Sequence, residues 1–356
     1  MILRKYFSVS ILAMAIMICS ARMALPAGHA VILQYHFFGD EHPPSTTVSM
    51  DIFRRHLEII RETGCNVWPL GKVAGYLREG RELPDMCVAI SIDDAYRSAY
   101  TRALPMLEDF GYPAALFIPA GAVDSGLSGY MSWDQIRDAM KRGIEPASHG
   151  YRHGYMIRRL EGESEREWEK RIKGDILLSL KRLKEELNTE IDLFAYPYGE
   201  YNNRLKEMVV ELGLTAFGQQ SGPAGTGSDF AALPRFPVSG IFSDPESFRI
   251  KLTSLPLPVE SAVPDSPVIG PDDEPPALRL ELGEGDYIIS TLACYVSGQG
   301  RTEVEWIDRK KRLLRVKAEK PLPAGRSRYN FTVRHSRENR YFWYSHLWIK
   351  TGRPAE

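Results

Sequence analysis

The chain has 356 residues, 44 % of them apolar, with 45 basic and 46 acidic side chains for a net charge of −1. That length suits one large domain plus a smaller one, and the apolar share excludes a disordered chain. The balanced charge excludes a global field that would draw in nucleic acid or an anionic membrane.

Residues 1–30 read as an export signal: Arg4 and Lys5, an apolar stretch from Phe7 to Cys19, then small residues up to Ala30. The stretch is short against the ~20 residues of a spanning helix. The mature chain is therefore expected to be periplasmic or secreted, with a membrane as partner only if the signal stays uncleaved. Cys65, Cys87 and Cys294 are odd in number, lack zinc-cluster spacing and read as small buried hydrophobes.

From Val31 to about Phe248 short apolar runs alternate with amphipathic stretches, the pattern of a β/α protein with a parallel sheet. The expected strands are Val31–Tyr35, Asn66–Pro69, Cys87–Ile92, Ala114–Ile118, Glu145–Ala147, Leu193–Tyr196 and Thr215–Gly218. Ser49 caps a helix burying Phe53, Leu57 and Ile60, and Gly64 closes it. The clearest helix is Glu163–Asn188, where Trp168, Ile172, Ile176, Leu180, Leu183 and Leu187 form one apolar stripe. These units predict an α/β fold, a distorted (β/α) barrel of about seven strands over 31–250, with chemistry at the C-terminal strand ends.

Seven prolines between Pro256 and Pro276 disfavour helix and central strand, so 251–277 reads as a linker or wrapping loop. Over 278–356, alternation such as Leu278/Leu280/Leu282 and Tyr329/Phe331/Val333 predicts a small antiparallel β-sandwich domain. The aromatic run Tyr341-Phe342-Trp343-Tyr344 with Trp348 reads as sandwich core and domain interface.

Asp93 and Asp94 end the buried-looking run VAISIDD. In a strand covered on both faces, charge appears only where the strand ends. Two adjacent carboxylates there either raise the pKa of one or demand a cation. His149 and His153 follow a later strand, and their i, i+4 spacing would put two imidazoles on one face if the segment were helical. One carboxylate and two imidazoles leave open positions on zinc, cobalt or iron, as hydrolytic chemistry requires. A turn or cap is the bland reading of each motif alone.

SIDDAYRS, SHGYRH and FAYPYG together resemble the polysaccharide deacetylase family, carbohydrate esterase family four, whose motifs run T-F-D-D-G, H-S/T-x-x-H and R-P-P-Y/F-G. The resemblance covers roughly Val31 to Val238. It implies a general base at Asp93 and one divalent metal ion, zinc first with cobalt, nickel or iron as alternatives, on Asp94, His149 and His153. Tyr196, Pro197, Tyr198 and Gly199 would form a groove wall that contacts substrate, with a main-chain N–H near Tyr198 for the oxyanion. Ser91 and Ala95 are mild departures from the first motif. Ala195 stands where the family has the arginine that orients the base, and Arg235 in LPRFPV is the candidate to replace it. No histidine lies between His153 and His335 to act as the family's late general acid. His36, in VILQYHFF, takes that place by resemblance to circularly permuted members that deacetylate poly-β-1,6-N-acetylglucosamine.

The expected function is thus metal-dependent removal of N-acetyl groups from an exported N-acetylglucosamine-containing polysaccharide. The alternatives are a non-catalytic carbohydrate-binding protein on the same scaffold and a deacylase of a smaller, lipid-linked sugar. Oligomeric state, linkage and metal identity stay open at this level.

Overall fold

A computed structural model describes residues 28–40 and 43–352. In chain order it begins β1 (His29–Tyr35), β2 (Phe37–Phe38), β3 (Thr47–Val48), α1 (Met50–Glu62), β4 (Asn66–Val67), α2 (Leu70–Arg78) and β5 (Cys87–Asp93). Next come α3 (Leu104–Phe110), β6 (Ala114–Ile118), α4 (Ala120–Asp124), α5 (Trp133–Lys141), β7 (Ile144–Ser148), α6 (Glu165–Leu187) and β8 (Leu193–Ala195). Then follow α7 (Asn203–Glu211), β9 (Thr215–Phe217), β10 (Ala224–Gly225), β11 (Phe236–Pro237) and α8 (Pro245–Leu252). Every strand expected from the sequence is present with boundaries shifted by at most a few residues.

The strands pair in the order β10-β1-β5-β6-β7-β8-β9, parallel from β1 to β9, with β4 beside β5 and β11 beside β1. The segment leading into β11 joins the two ends of this curled sheet. Leu233 bridges Phe217 of β9, and three residues on Phe236 pairs with Leu33 of β1. Arg235, between them, is thereby placed inside the ring of strands.

Period-two alternation sorts the strand residues into two buried layers. Val31, Leu33, Tyr35, Val88, Ile90, Ile92, Leu116 and Ile118 pack outward with Phe53, Leu57 and Ile60 of α1. Ala30, Ile32, Ala89, Ala115, Phe117, Ala147, Ala195 and Phe217 fill the interior. The next interior positions toward the C-terminal ends are polar: Gln34 on β1, and Ser91 and Asp93 on β5. The ring is thus apolar at its base and chemical at its top, as a (β/α) barrel is.

Helix α6 has the expected stripe, its start fixed by a Ser164–Glu167 capping box and its end by Asn188 at φ +53. Trp168, Ile172, Ile176, Leu183 and Leu187 are buried, with Ser179 rather than Leu180 fully enclosed. Trp133 opens α5 behind a second capping box, Ser132–Gln135. Of the cysteines, Cys87 and Cys294 are buried and Cys65 half-buried, all three free.

The C-terminal region is β12 (Leu255–Pro256), β13 (Val259–Val263), β14 (Val268–Ile269), β15 (Ala277–Leu282), β16 (Ala293–Val296), β17 (Gly300–Thr302), β18 (Glu305–Asp308), β19 (Leu313–Lys317), β20 (Gly325–Arg334) and β21 (Tyr341–Lys350). Two sheets, β12-β21-β20-β16-β17 with β14, and β13-β15-β19-β18, enclose Leu278, Leu280, Val316, Tyr329, Phe331 and Trp348. The proline-rich stretch 251–277 is therefore no linker. It supplies β12 and β14, which run parallel to β21, and β13, which pairs antiparallel with β15. Its prolines sit in two-residue edge strands or just outside strands, where the missing N–H breaks no central ladder. On β21, Phe342, Tyr344 and Trp348 belong to the sandwich core, while Trp343, Leu347 and Ile349 pack toward the barrel.

The segment expected to be an export signal lies outside the described residues up to position 27. Its last positions belong to the fold: His29 and Ala30 open β1 and pair with Gly225 and Ala224. Among the described residues no helix is long and apolar enough to cross a membrane.

Candidate active site

Strand β5 ends on Asp93, and the chain then turns through Asp94 at φ +73 and Ala95 at φ +51. Glycine accepts this left-handed backbone without strain, which explains its place in the motif that Ala95 departs from. The turn sends the two carboxylates in different directions. Asp93 stays inside the ring with no exposed surface, while Asp94 faces the loop after β7.

That loop carries His149 and His153, and it is not helical. Gly150 at φ +73 and His153 at φ +54 turn the chain sharply, so the expectation of one helical face is wrong although the rings do meet, 4.8 Å apart. Asp94 Oδ1 lies 3.4 Å from His149 Nε2 and 3.0 Å from His153 Nε2. One ligand atom from each of the three falls within 4.8 Å of the others. His149 Nδ1 is 2.7 Å from the Ala195 carbonyl, which fixes that nitrogen as the donor and leaves Nε2 as a lone pair facing Asp94. His153 Nε2 is buried and has no hydrogen-bond partner. An orphaned imidazole nitrogen, an oriented imidazole and an ionised carboxylate fit a divalent ion. Burial alone would raise the Asp94 pKa, but the adjacent His149 and His153 imidazoles, with His36, outweigh it and hold the carboxyl well below its usual range.

Asp93 is gripped by three donors. Arg235 Nη1 donates to Oδ1 at 2.7 Å, Arg235 Nη2 to Oδ2 at 2.9 Å, and Gln34 Nε2 to Oδ2 at 2.7 Å. Arg235 also donates to the Ser91 hydroxyl at 3.1 Å and through Nε to the Gly218 carbonyl at 2.9 Å. Burial would push Asp93 up, but the Arg235 charge, with His149 and His36, holds its pKa below the ordinary value. His36 follows β1, with Nε2 3.7 Å from Asp93 Oδ2. Burial lowers the His36 pKa, and the opposing pull of Asp93 and Asp94 does not restore it.

Of the wall residues expected from the FAYPYG motif, only Tyr198 reaches the site. Tyr196 is fully buried with its hydroxyl donating to the Ala231 carbonyl at 2.7 Å, and Pro197 and Gly199 are buried as well. They shape the turn that holds Tyr198 at φ +59, its ring 4.9 Å from His153. Tyr155 stacks on Tyr198 at 4.0 Å, and the Arg158 guanidinium covers Tyr155 at 3.5 Å. Tyr96 and Tyr130, 5.2 Å apart, lie on the Asp94 side.

Gln34 and Tyr155 were not singled out from the sequence. Gln34 had a signal, one amide in the otherwise apolar run VILQY of a doubly covered strand. Tyr155 had none, because its stacking partner lies across the fold.

Residues 80–217 match the polysaccharide deacetylase family. Over that stretch the chain resembles polysaccharide deacetylases. Over 251 residues it is 25 % identical to the poly-beta-1,6-N-acetyl-D-glucosamine N-deacetylase of Escherichia coli K12, an alignment covering 60 % of this chain and 37 % of that protein. The chain thus spans little more than a third of that relative's length. Among solved structures, the deacetylase domain resembles IcaB from Ammonifex degensii, with TM-score 0.56 and 22 % identity over 64 % of this chain and 98 % of that one. It also resembles the Streptococcus pyogenes deacetylase PplD in complex with acetate, with TM-score 0.55 and 21 % identity over 62 % and 96 %. At these identities the structural likeness establishes the fold of the deacetylase domain.

Proposed function

We propose that this chain is a metal-dependent hydrolase that removes N-acetyl groups from an exported N-acetylglucosamine-containing polysaccharide. The observation that carries the reading is the division of labour between adjacent aspartates: Asp94 converges with two imidazoles, while Asp93 is held ionised beside His36. A divalent ion held by Asp94, His149 and His153, zinc first for this N₂O donor set with cobalt, nickel or iron as alternatives, would acidify water and polarise the acetamide carbonyl.

A carboxylate offers about four lone-pair sites. Three donors occupy Asp93, and the remaining site, on Oδ1, can accept a proton from the attacking water. The arginine keeps Asp93 a weak base, so the proton need not stay there. His36, whose Nε2 lies 3.7 Å from the other carboxylate oxygen, is the candidate to receive it through an intervening water and pass it to the amine nitrogen as the C–N bond breaks. Burial keeps His36 neutral at rest, which is the form that can take this proton. Water adds to the carbonyl carbon, acetate leaves with the new C–O bond, and the sugar departs as the free amine. The Tyr198 main-chain N–H is the candidate donor to the oxyanion, a contact worth ~3–4 kcal/mol in comparable sites.

A non-catalytic binder would need the groove and the ligands but no clamped Asp93. The name of the E. coli relative supports a poly-β-1,6-linked substrate, and the signal-like first 30 residues support a periplasmic or secreted site of action. The test is acetate release from β-1,6- and β-1,4-linked N-acetylglucosamine oligomers before and after chelation. Release from the β-1,6 series that stops with chelator and returns with zinc or cobalt is expected. Metal-independent release, or none from either series, would overturn the proposal.

A further inference from the structure

Arg326 and Arg328 stand two positions apart on β20 and so share one face of the strand. Ser327 and Tyr329, which alternate with them, are buried on the sandwich side. The arginines face the deacetylase domain, where Arg326 Nη1 donates to Gln219 Oε1. Gln219 lies so close to Gly199 that a Cβ there would meet its side chain at 2.6 Å. Gly199 follows Tyr198, whose ring lies 4.9 Å from that of His153. The sandwich therefore brings Arg326 to the turn that presents Tyr198, with Arg328 beside it on the same face of the strand.

Among the described residues neither arginine is in a salt bridge, and the carboxylate that acts on Arg326 is Glu200. Arg328 is half-buried, its Nε has no hydrogen-bond partner, and burial together with Arg326 pulls its pKa down to about 10. Facing Arg326 are Gln219, Tyr155 and Glu200. Glu200, the sole carboxylate of that group, is buried and lies 3.7 Å from Arg158, with its Oε2 unpaired. Two guanidinium groups, of Arg158 and Arg326, thus share one carboxylate, and Arg328 adds a further positive charge beside Arg326. Like charges on neighbouring same-face positions repel, and a partly desolvated cation costs free energy unless an anion sits against it.

We propose that Arg326 and Arg328 form a subsite for an anionic group, a carboxylate or a phosphate or sulfate ester, carried by the glycan that enters the groove. Planar guanidinium forks suit such oxyanions. Arg326 is exposed and Arg328 half-buried, so the pair is reachable from the groove rim. The inference rests on the glycan reading of the groove, and its readout is binding rather than turnover.

The experiment uses the full chain carrying His149→Ala, so that bound oligomers are not hydrolysed. An N-acetylglucosamine tetramer and a tetrasaccharide alternating N-acetylglucosamine with glucuronate are titrated at low salt. The acidic oligomer is expected to bind about tenfold tighter. Adding Arg328→Gln should remove most of that preference and leave the neutral oligomer's affinity unchanged, while Arg328→Lys should keep part of it. Equal affinity for the two oligomers, a preference untouched by Arg328→Gln, or an equal loss for both would overturn the subsite alone. Inorganic sulfate binding as tightly as the acidic oligomer would overturn its assignment to a glycan-borne group. Failure of both oligomers to bind would remove the subsite and the glycan reading together.

Discussion

Arg235 and Asp93, 142 residues apart in sequence, share two hydrogen bonds of 2.7 and 2.9 Å with no exposed surface on either side chain. The pair exists because the segment from Leu233 to Phe236 joins β9 to β1 and turns one residue into the ring. Removing one partner of such a pair leaves an uncompensated buried charge.

Arg235→Ala is therefore expected to destabilise the protein by roughly 3–5 kcal/mol and to raise the Asp93 pKa, since the Arg235 charge is the largest influence lowering it. The acidic limb of the kcat/KM profile should move to higher pH. Arg235→Lys should restore part of the stability but not the two-point grip. An unshifted acidic limb in Arg235→Ala would show that Asp93 is not the base.

Tyr155 carries a second prediction. Its ring lies between Tyr198 and Arg158 and makes the wall beside His153 rigid. Tyr155→Ala should raise KM for oligomers several-fold, with metal content unchanged and a smaller effect on kcat. Steady-state kinetics beside metal analysis would check this. A pure kcat loss would place Tyr155 in the chemistry instead.

Stability should depend on pH through three histidines far from the metal ligands. Burial pushes His29, His56 and His346 from 6.5 down to about 4. The folded pKa lies below the unfolded one, so their contribution is complete above pH 6.5 and is lost as pH falls toward 4. Each can contribute on the order of 3 kcal/mol across that window. The reason is visible at His56, whose Nε2 is 2.7 Å from the Ser243 carbonyl and whose Nδ1 is 3.1 Å from the Tyr35 hydroxyl. Protonation would leave that hydroxyl without an acceptor. The Tm should fall steeply between pH 6.5 and 4, and less steeply in His56→Phe, which keeps the stacking on Phe248. A flat Tm over that range would refute the assignment.

The residues legible in the sequence were those whose chemistry is written in short motifs or at strand ends. Asp93 and Asp94 stand out as charge at the tip of an apolar run, His149 and His153 by their spacing, and His36 by its strand-end place and the absence of a later histidine, and the structure gathers all five at one end of the sheet. Arg235 was legible only as a replacement for the missing arginine at Ala195. The Ala195 carbonyl that orients His149 is a backbone group and leaves no trace in residue type. Helical spacing misled at His149 and His153, where two left-handed residues do what a helix was expected to do. The proline-rich stretch misled for a related reason: proline excludes a strand from a sheet's centre, not from the edge of β21. The wall motif misled because three of its four residues serve the turn that presents the fourth.

The central claim is that adjacent aspartates have separate roles, one holding a metal and one moving a proton. It is tested most directly by measuring bound metal and acetate release together for Asp93→Asn and His149→Ala. The account predicts that Asp93→Asn keeps wild-type metal content while turnover falls by at least a hundredfold, and that His149→Ala loses both. Wild-type turnover in Asp93→Asn, or full metal content in His149→Ala, would contradict it.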